Sequence, residues 1–130
     1  MNITIKNILR EHPEGSFVEY STPYGNGKAV FIGPHPKINS KYDVEINIDD
    51  DFFWGRNLTQ AQQCAPSIKY HSDQTLMSVE LIAIEEDGCG VLRMGDSIML
   101  ISIEKEYQKH DLPMFIDLIS NKISLHPTNT

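Results

Sequence analysis

Asp49, Asp50 and Asp51 stand in a row and run directly into Phe52, Phe53 and Trp54. Three chemistries could use such carboxylates: cation binding, general acid–base work, or docking of a basic partner. A calcium loop of the EF-hand kind needs further ligands at fixed spacing, a central glycine and a closing glutamate, and none follows here. Acid–base catalysis would draw on Asp43, Glu45, Glu80 and Glu85, yet carboxylates at this density are ordinary on an acidic surface. Docking fits better. From Tyr42 through Gly55 there is no base, whereas a plain solvated face mixes signs. Asp43, Glu45, Asp49, Asp50 and Asp51 form the expected docking surface, with Phe52 or Trp54 as its apolar anchor. Of Phe52 and Phe53, at least one must point inward.

The remaining reactive residues are weaker candidates. Cys89 lies between Gly88 and Gly90, and the neighbouring Glu85, Glu86 and Asp87 disfavour a thiolate. The five histidines are dispersed, and none is placed by sequence beside Cys89. Cys64 and His71 lack companions at zinc-ligand spacing. Walker, Rossmann and HExxH patterns are absent. Gly25-Asn26-Gly27-Lys28 reads as a hairpin turn, because no helical pattern follows it. The sequence therefore implies no enzyme, no cofactor and no metal site.

The net charge of −7 is concentrated in the middle of the chain. Residues 42–96 hold eleven acids against three bases, whereas residues 1–41 hold three acids against five bases. Such a field repels nucleic acid and anionic lipid and steers basic partners. Glu85, Glu86 and Asp87 belong to the same field and join the expected docking residues. Two cysteines make no disulfide framework, and the first ten residues lack a signal-peptide apolar run, so the expected compartment is the cytoplasm.

The elements that must position these residues read mainly as strands. Tyr42, Val44, Ile46 and Ile48 alternate with Asp43, Glu45, Asn47 and Asp49, which predicts a strand with one buried and one wet face, closed by Trp54-Gly55. Ser16–Ser21 and Lys28–Ile32 flank the turn Pro23–Gly27 and predict a hairpin. Gly33-Pro34-His35-Pro36 ends it. Thr75–Glu85, Gly90–Met94 and Ser97–Ile103 predict a meander, with Gly95-Asp96 as a two-residue loop. The first and last of these are apolar on both faces, which suggests strands covered on both sides.

Helices are expected in three places. Ile5, Ile8 and Leu9 fall at helical spacing after Thr4, ahead of Pro13 and Gly15. Asn57 could cap a turn or two reaching Gln63, with the rest of residues 55–74 as loop. Leu112, Phe115, Ile119 and Ile123 share a helical face after Asp111. Glu104–Lys109 reads as a solvated charged segment, and His126–Thr130 as a frayed tail.

These elements predict a single β-rich domain over residues 1–130. Its fold class is a small antiparallel barrel or half-open sandwich of about six strands, OB-like or SH3-like in architecture, with a short C-terminal and a short N-terminal helix. The likeness rests on strand count and turns, not on a family signature. The expected function is a non-enzymatic acidic protein-binding domain. Its most concrete form is an inhibitor or immunity-type protein that occludes a basic enzyme such as a nuclease toxin. The competing expectation is an OB-like barrel that binds single-stranded nucleic acid or a small ligand through the first hairpin, using Tyr20, Tyr24, Phe31 and Lys28.

Overall fold

The computed structural model describes residues 1–104 and 110–128, and every regular element in them is a strand. There are twelve, not six. They are β1 (Asn2–His12), β2 (Gly15–Thr22), β3 (Gly25–Ile32), β4 (Lys41–Ile48), β5 (Asp51–Phe52) and β6 (Leu58–Gln60). Then come β7 (Ser67–His71), β8 (Gln74–Ile84), β9 (Cys89–Met94), β10 (Ser97–Ile103), β11 (Met114–Ser120) and β12 (Ile123–Pro127).

Five strands close into a barrel in the order β1, β2, β3, β12, β4 and back to β1. The closing contact is parallel, with Ser124 beside Val30 and Leu125 beside Phe31. Ile5, Val18, Tyr20, Ala29, Phe31 and Leu125 are buried and share its interior through their register partners. The β2–β3 hairpin is the one expected from the sequence.

The expected N-terminal helix is instead β1. Two bulges, between Ile5 and Asn7 and between Ile8 and Arg10, bend it around the barrel. The first bulge also puts Ile5 and Ile8, three residues apart, opposite Tyr20 and Val18. That spacing imitates a helical face.

Residues 49–122 lie between the fourth and fifth barrel strands and extend the same sheet, joined to the barrel where β7 pairs in parallel with β3 at Gly25 and Ile68. The centre of this extension is β8, whose buried face carries Met77, Val79 and Leu81. One edge of β8 pairs with β7 and then β9, and the other with β11. β10 and β5 continue the sheet beyond β9, and β6 continues it beyond β11. The buried residues of barrel and sheet form one hydrophobic cluster.

Other corrections concern this sheet. The expected turn of helix at Asn57–Gln63 is occupied by β6. The loop expected through residue 74 contains β7, joined to β8 by Ser72 and Asp73 in left-handed conformation (φ 52° and 62°). Neither residue is glycine, so the turn carries a weak sequence signal. The expected C-terminal helix is two strands. Ile116, Leu118 and Ser120 alternate inward on β11, and Ile123 and Leu125 on β12. A short β-branched apolar run supports both periods, and pairing with β8 decides it. The tail is not frayed through Thr128, which hydrogen-bonds Asp43. Beyond Glu104, the charged segment expected to Lys109 lies outside the described residues.

Candidate functional site: a cleft between two strand edges

The run of chain through β4 and β5 lies alongside β10. Its end is attached: Asp51 and Phe52 pair in parallel with Ser102 and Ile103, and the Glu104 N–H donates to the Phe52 carbonyl at 2.8 Å. Its body is not. β4 belongs to β12 instead, and no ladder joins β4 to β10 among the described residues. The two ladders part at Asp49 and Asp50. Asp49 N–H donates to the Lys122 carbonyl at 3.0 Å, and the Ser120 hydroxyl donates to the Asp50 carboxylate.

The backbone groups facing the gap follow from alternation along a ladder. Thr128 N–H donates to the Asp43 carbonyl, so the odd-numbered residues of β4 turn toward β12. Val44, Ile46 and Ile48 turn the other way. Val44 is taken by Met1, whose carbonyl accepts its N–H at 2.9 Å and whose amino group donates to its carbonyl at 2.8 Å. Ile46 lies beyond the reach of β1. On β10, the Ile103 N–H donates to the Gly88 carbonyl, so odd-numbered residues serve β9. Ile98 and Leu100 therefore present backbone N–H and C=O to the gap.

Side chains alternate in the same way. Val44, Ile46 and Met99 point into the core. Asp43, Glu45 and Asn47 stand exposed on one bank. Ile98 and Leu100 stand on the other, 52% and 57% exposed, the two most exposed large apolar residues among those described. Two open cavities of about 600 and 510 Å³ share Glu45, Ile46, Ile98 and Met99, so they form one continuous cleft.

The cleft is acidic. Asp43, Glu45 and Asp96 line it, and among the described residues no lysine or arginine does. The amino terminus lies 3.1 Å from the Asp43 carboxylate. Its hydrogen bond, and a second from the Thr128 hydroxyl, hold that carboxyl below the usual carboxylate range.

The other expected docking residues lie elsewhere or inward. Glu85, Glu86 and Asp87 form the β8–β9 turn. Ser102 is the register partner of both Cys89 and Asp51, so this turn and exposed Asp51 share one end of the sheet. Asp49 is exposed at the fork, and Asp50 is half-buried there. Phe52 is fully buried and is a core residue, not an anchor. Phe53 faces outward under the Arg56 guanidinium at 4.6 Å. Trp54 is half-buried and stacked on His110, with ring centroids 4.2 Å apart. The first-hairpin platform is also corrected: Tyr20 and Phe31 point into the barrel. Around the barrel, cations meet other aromatics: Arg10 lies 4.1 Å over Phe17, and the Lys28 ammonium 5.4 Å from Tyr70.

Catalytic groupings are sparse. Glu80 is engaged by Arg93 at 2.6 Å. Asp87 accepts the Cys89 N–H at 3.0 Å, which closes the turn. Among the described residues no group of three His, Cys, Asp or Glu is arranged to hold a metal ion. One pair escaped the sequence reading: Ser124 Oγ lies 2.9 Å from His126 Nε2, two residues apart on one face of β12. Glu45 is the cross-strand partner of His126.

No family model, curated protein or solved structure matches this chain.

Proposed function

We propose that this protein is a non-enzymatic acidic protein-binding domain that captures a basic protein in the cleft between β4 and β10. Its most concrete form is an inhibitor or immunity-type protein of the cytoplasm that covers the active site of a basic enzyme such as a nuclease toxin. The observation that carries this reading is the pairing of a carboxylate bank with an exposed aliphatic bank across one open cleft. Interfaces need both parts, apolar contact for affinity and complementary charge for steering and register. Carboxylates on a rigid strand can occupy a cationic site in place of substrate phosphates. Asp51, Glu85, Glu86 and Asp87, at the attached end, extend the negative field.

The finer fold assignment belongs to the same proposal. Five strands closed by a parallel contact between the third and the last suit an OB-type barrel, with residues 49–122 inserted before the last strand. A specific observation favours a second reading on that ground. Arg10 over Phe17 and Lys28 beside Tyr70 offer cation–aromatic pairs on the barrel exterior, of the kind that stack single-stranded nucleic acid.

The test is capture from lysate of the source cells on immobilised protein, washed at low and then high salt. The expected result is one dominant basic protein, held stoichiometrically and inhibited when bound. Recovery of nucleic acid, with quenching of protein fluorescence by short oligonucleotides, would replace this reading with the second.

A further inference from the structure

The aliphatic bank of the cleft continues onto the outer face of the sheet. Register sets Leu100 beside Val91 and Val91 beside Ala83, and Ile98 follows on the same face of β10. Leu92, Met94, Met99 and Ile101 alternate with these and are buried on the core side. This part of the sheet is therefore apolar on both faces. One face is covered by the core, whereas on the other Ile98 and Leu100 are more than half exposed. A sheet apolar on both faces is ordinarily a middle layer, with a further layer packed against each side. Acids frame the exposed strip. Glu85, Glu86 and Asp87 stand in the turn at one end of β9, and Asp96 stands in the turn at the other. Glu45 lines the cleft opposite Ile98. Arg93, the only cation of residues 89–103, is held by Glu80 at 2.6 Å.

We propose that the further layer is an amphipathic helix of the basic partner, laid along β9 and β10 on this outer face. This rests on the protein-binding reading above and specifies the partner's form. An added strand does not fit the cleft, since β4 and β10 approach within 8 Å between Cα atoms and seating a strand between two others needs about 10 Å. A helix needs no free edge, because it packs through side chains alone. β9 has six residues and spans about 20 Å. A helix covers that length in about 13 residues. Its apolar stripe would lie on Val91, Ile98 and Leu100, and lysine or arginine near its two ends would reach the acids of the two turns. A basic residue on the flank toward β4 would reach Glu45 while its aliphatic stem crosses Ile98. A second copy of this chain is disfavoured as occupant. Its described residues contain no helix, and it would bring the same acidic frame against itself.

The probe is a peptide of about 14 residues of leucine, alanine and lysine, with the leucines on one helical face and the lysines on the others. A peptide of the same composition with its leucines spread around the helix serves as control. A third keeps the pattern but carries proline at its centre, which breaks the helix. The patterned peptide is expected to bind at least about tenfold tighter than either control, because losing one leucine-sized contact already costs about that factor. Its helical circular dichroism should rise on binding, and the amide resonances of Val91, Ile98 and Leu100 should shift. In the Ile98→Lys, Leu100→Lys variant the preference should vanish, and its survival there would overturn the site. Equal binding of all three peptides with no gain of helix would overturn helix docking while leaving the acidic docking reading standing. No binding by any peptide at low salt would also overturn it, and the lysate capture then judges the docking reading separately. A dimer of the protein alone that this variant disperses would overturn it by giving the face to a second copy.

Discussion

Asp51 is the parallel partner of Ser102, yet Ile46, on the same run of chain, faces β10 with no ladder between them among the described residues. The difference arises at Asp49 and Asp50, where one strand passes from its barrel neighbour β12 to its sheet neighbour β10. A chain that passes from the barrel part of the sheet to its extension leaves a wedge where its two partners diverge. Here that wedge has carboxylates on one bank and aliphatic side chains on the other.

The acids of the cleft should act on association more than on stability. Glu45 and Asp96 are exposed and line the cleft, where no lysine or arginine stands among the described residues. Replacing them with Glu45→Gln and Asp96→Asn should slow capture of the basic partner about tenfold at low ionic strength, and much less once salt screens the field. Chemical denaturation should show a change within about 0.5 kcal/mol for each exposed substitution. Stopped-flow association at two salt concentrations checks the first expectation.

Phe52 and Phe53 should separate by mutation. Phe52 is fully buried on β5, which pairs beside β10. Phe52→Ala should cost about 3–5 kcal/mol through the cavity it leaves. Phe53 is 36% exposed under Arg56, so Phe53→Ala should cost less than about 1 kcal/mol. Urea unfolding of the two variants measures the contrast.

Tyr20 holds its hydroxyl inside the barrel with no hydrogen-bond partner among the described residues. Tyr20→Phe should therefore be neutral or stabilising by up to about 1 kcal/mol. Burial pushes the Tyr20 phenol well above its ordinary value near 10. Its contribution is fully present below the unfolded value and is lost as pH climbs from there toward the folded one, because the unfolded chain releases this proton first. Wild type should lose stability more steeply above pH ~10 than Tyr20→Phe, as thermal melts across that range would show.

Gly27 is the register partner of Tyr20, and a β-carbon there would lie 2.6 Å from the Tyr20 hydroxyl oxygen and 2.7 Å from its ring. Gly27→Ala should therefore destabilise the barrel by about 1–3 kcal/mol, and removing only the hydroxyl in Tyr20→Phe should relieve part of that cost. A double-mutant cycle by urea unfolding isolates the coupling.

Much of the fold is legible in local pattern. The alternation from Tyr42 to Ile48 places the acids outside and the aliphatics inside, as β4 does. Gly95, at φ 60°, turns β9 into β10 as its sequence implies. The misreadings have physical causes. Bulges in β1 disguise period two as a helical spacing, and Ser72-Asp73 makes a left-handed turn without glycine. The cleft itself is only half visible. Its acidic bank is a local run, but Ile98 and Leu100 join it through pairing between residues far apart in sequence. Their one local trace is a strand apolar on both faces. On β10 the second apolar face is uncovered.

The most direct measurement is lysate capture with wild type and the Ile98→Lys, Leu100→Lys variant side by side. Both residues are more than half exposed, so the substitutions should leave the fold intact, and circular dichroism confirms it. They place two cations on the aliphatic bank. Wild type is expected to retain one basic protein through the low-salt wash and the variant to lose it. Equal retention by both, or nothing held by wild type, would contradict the cleft as the site of binding.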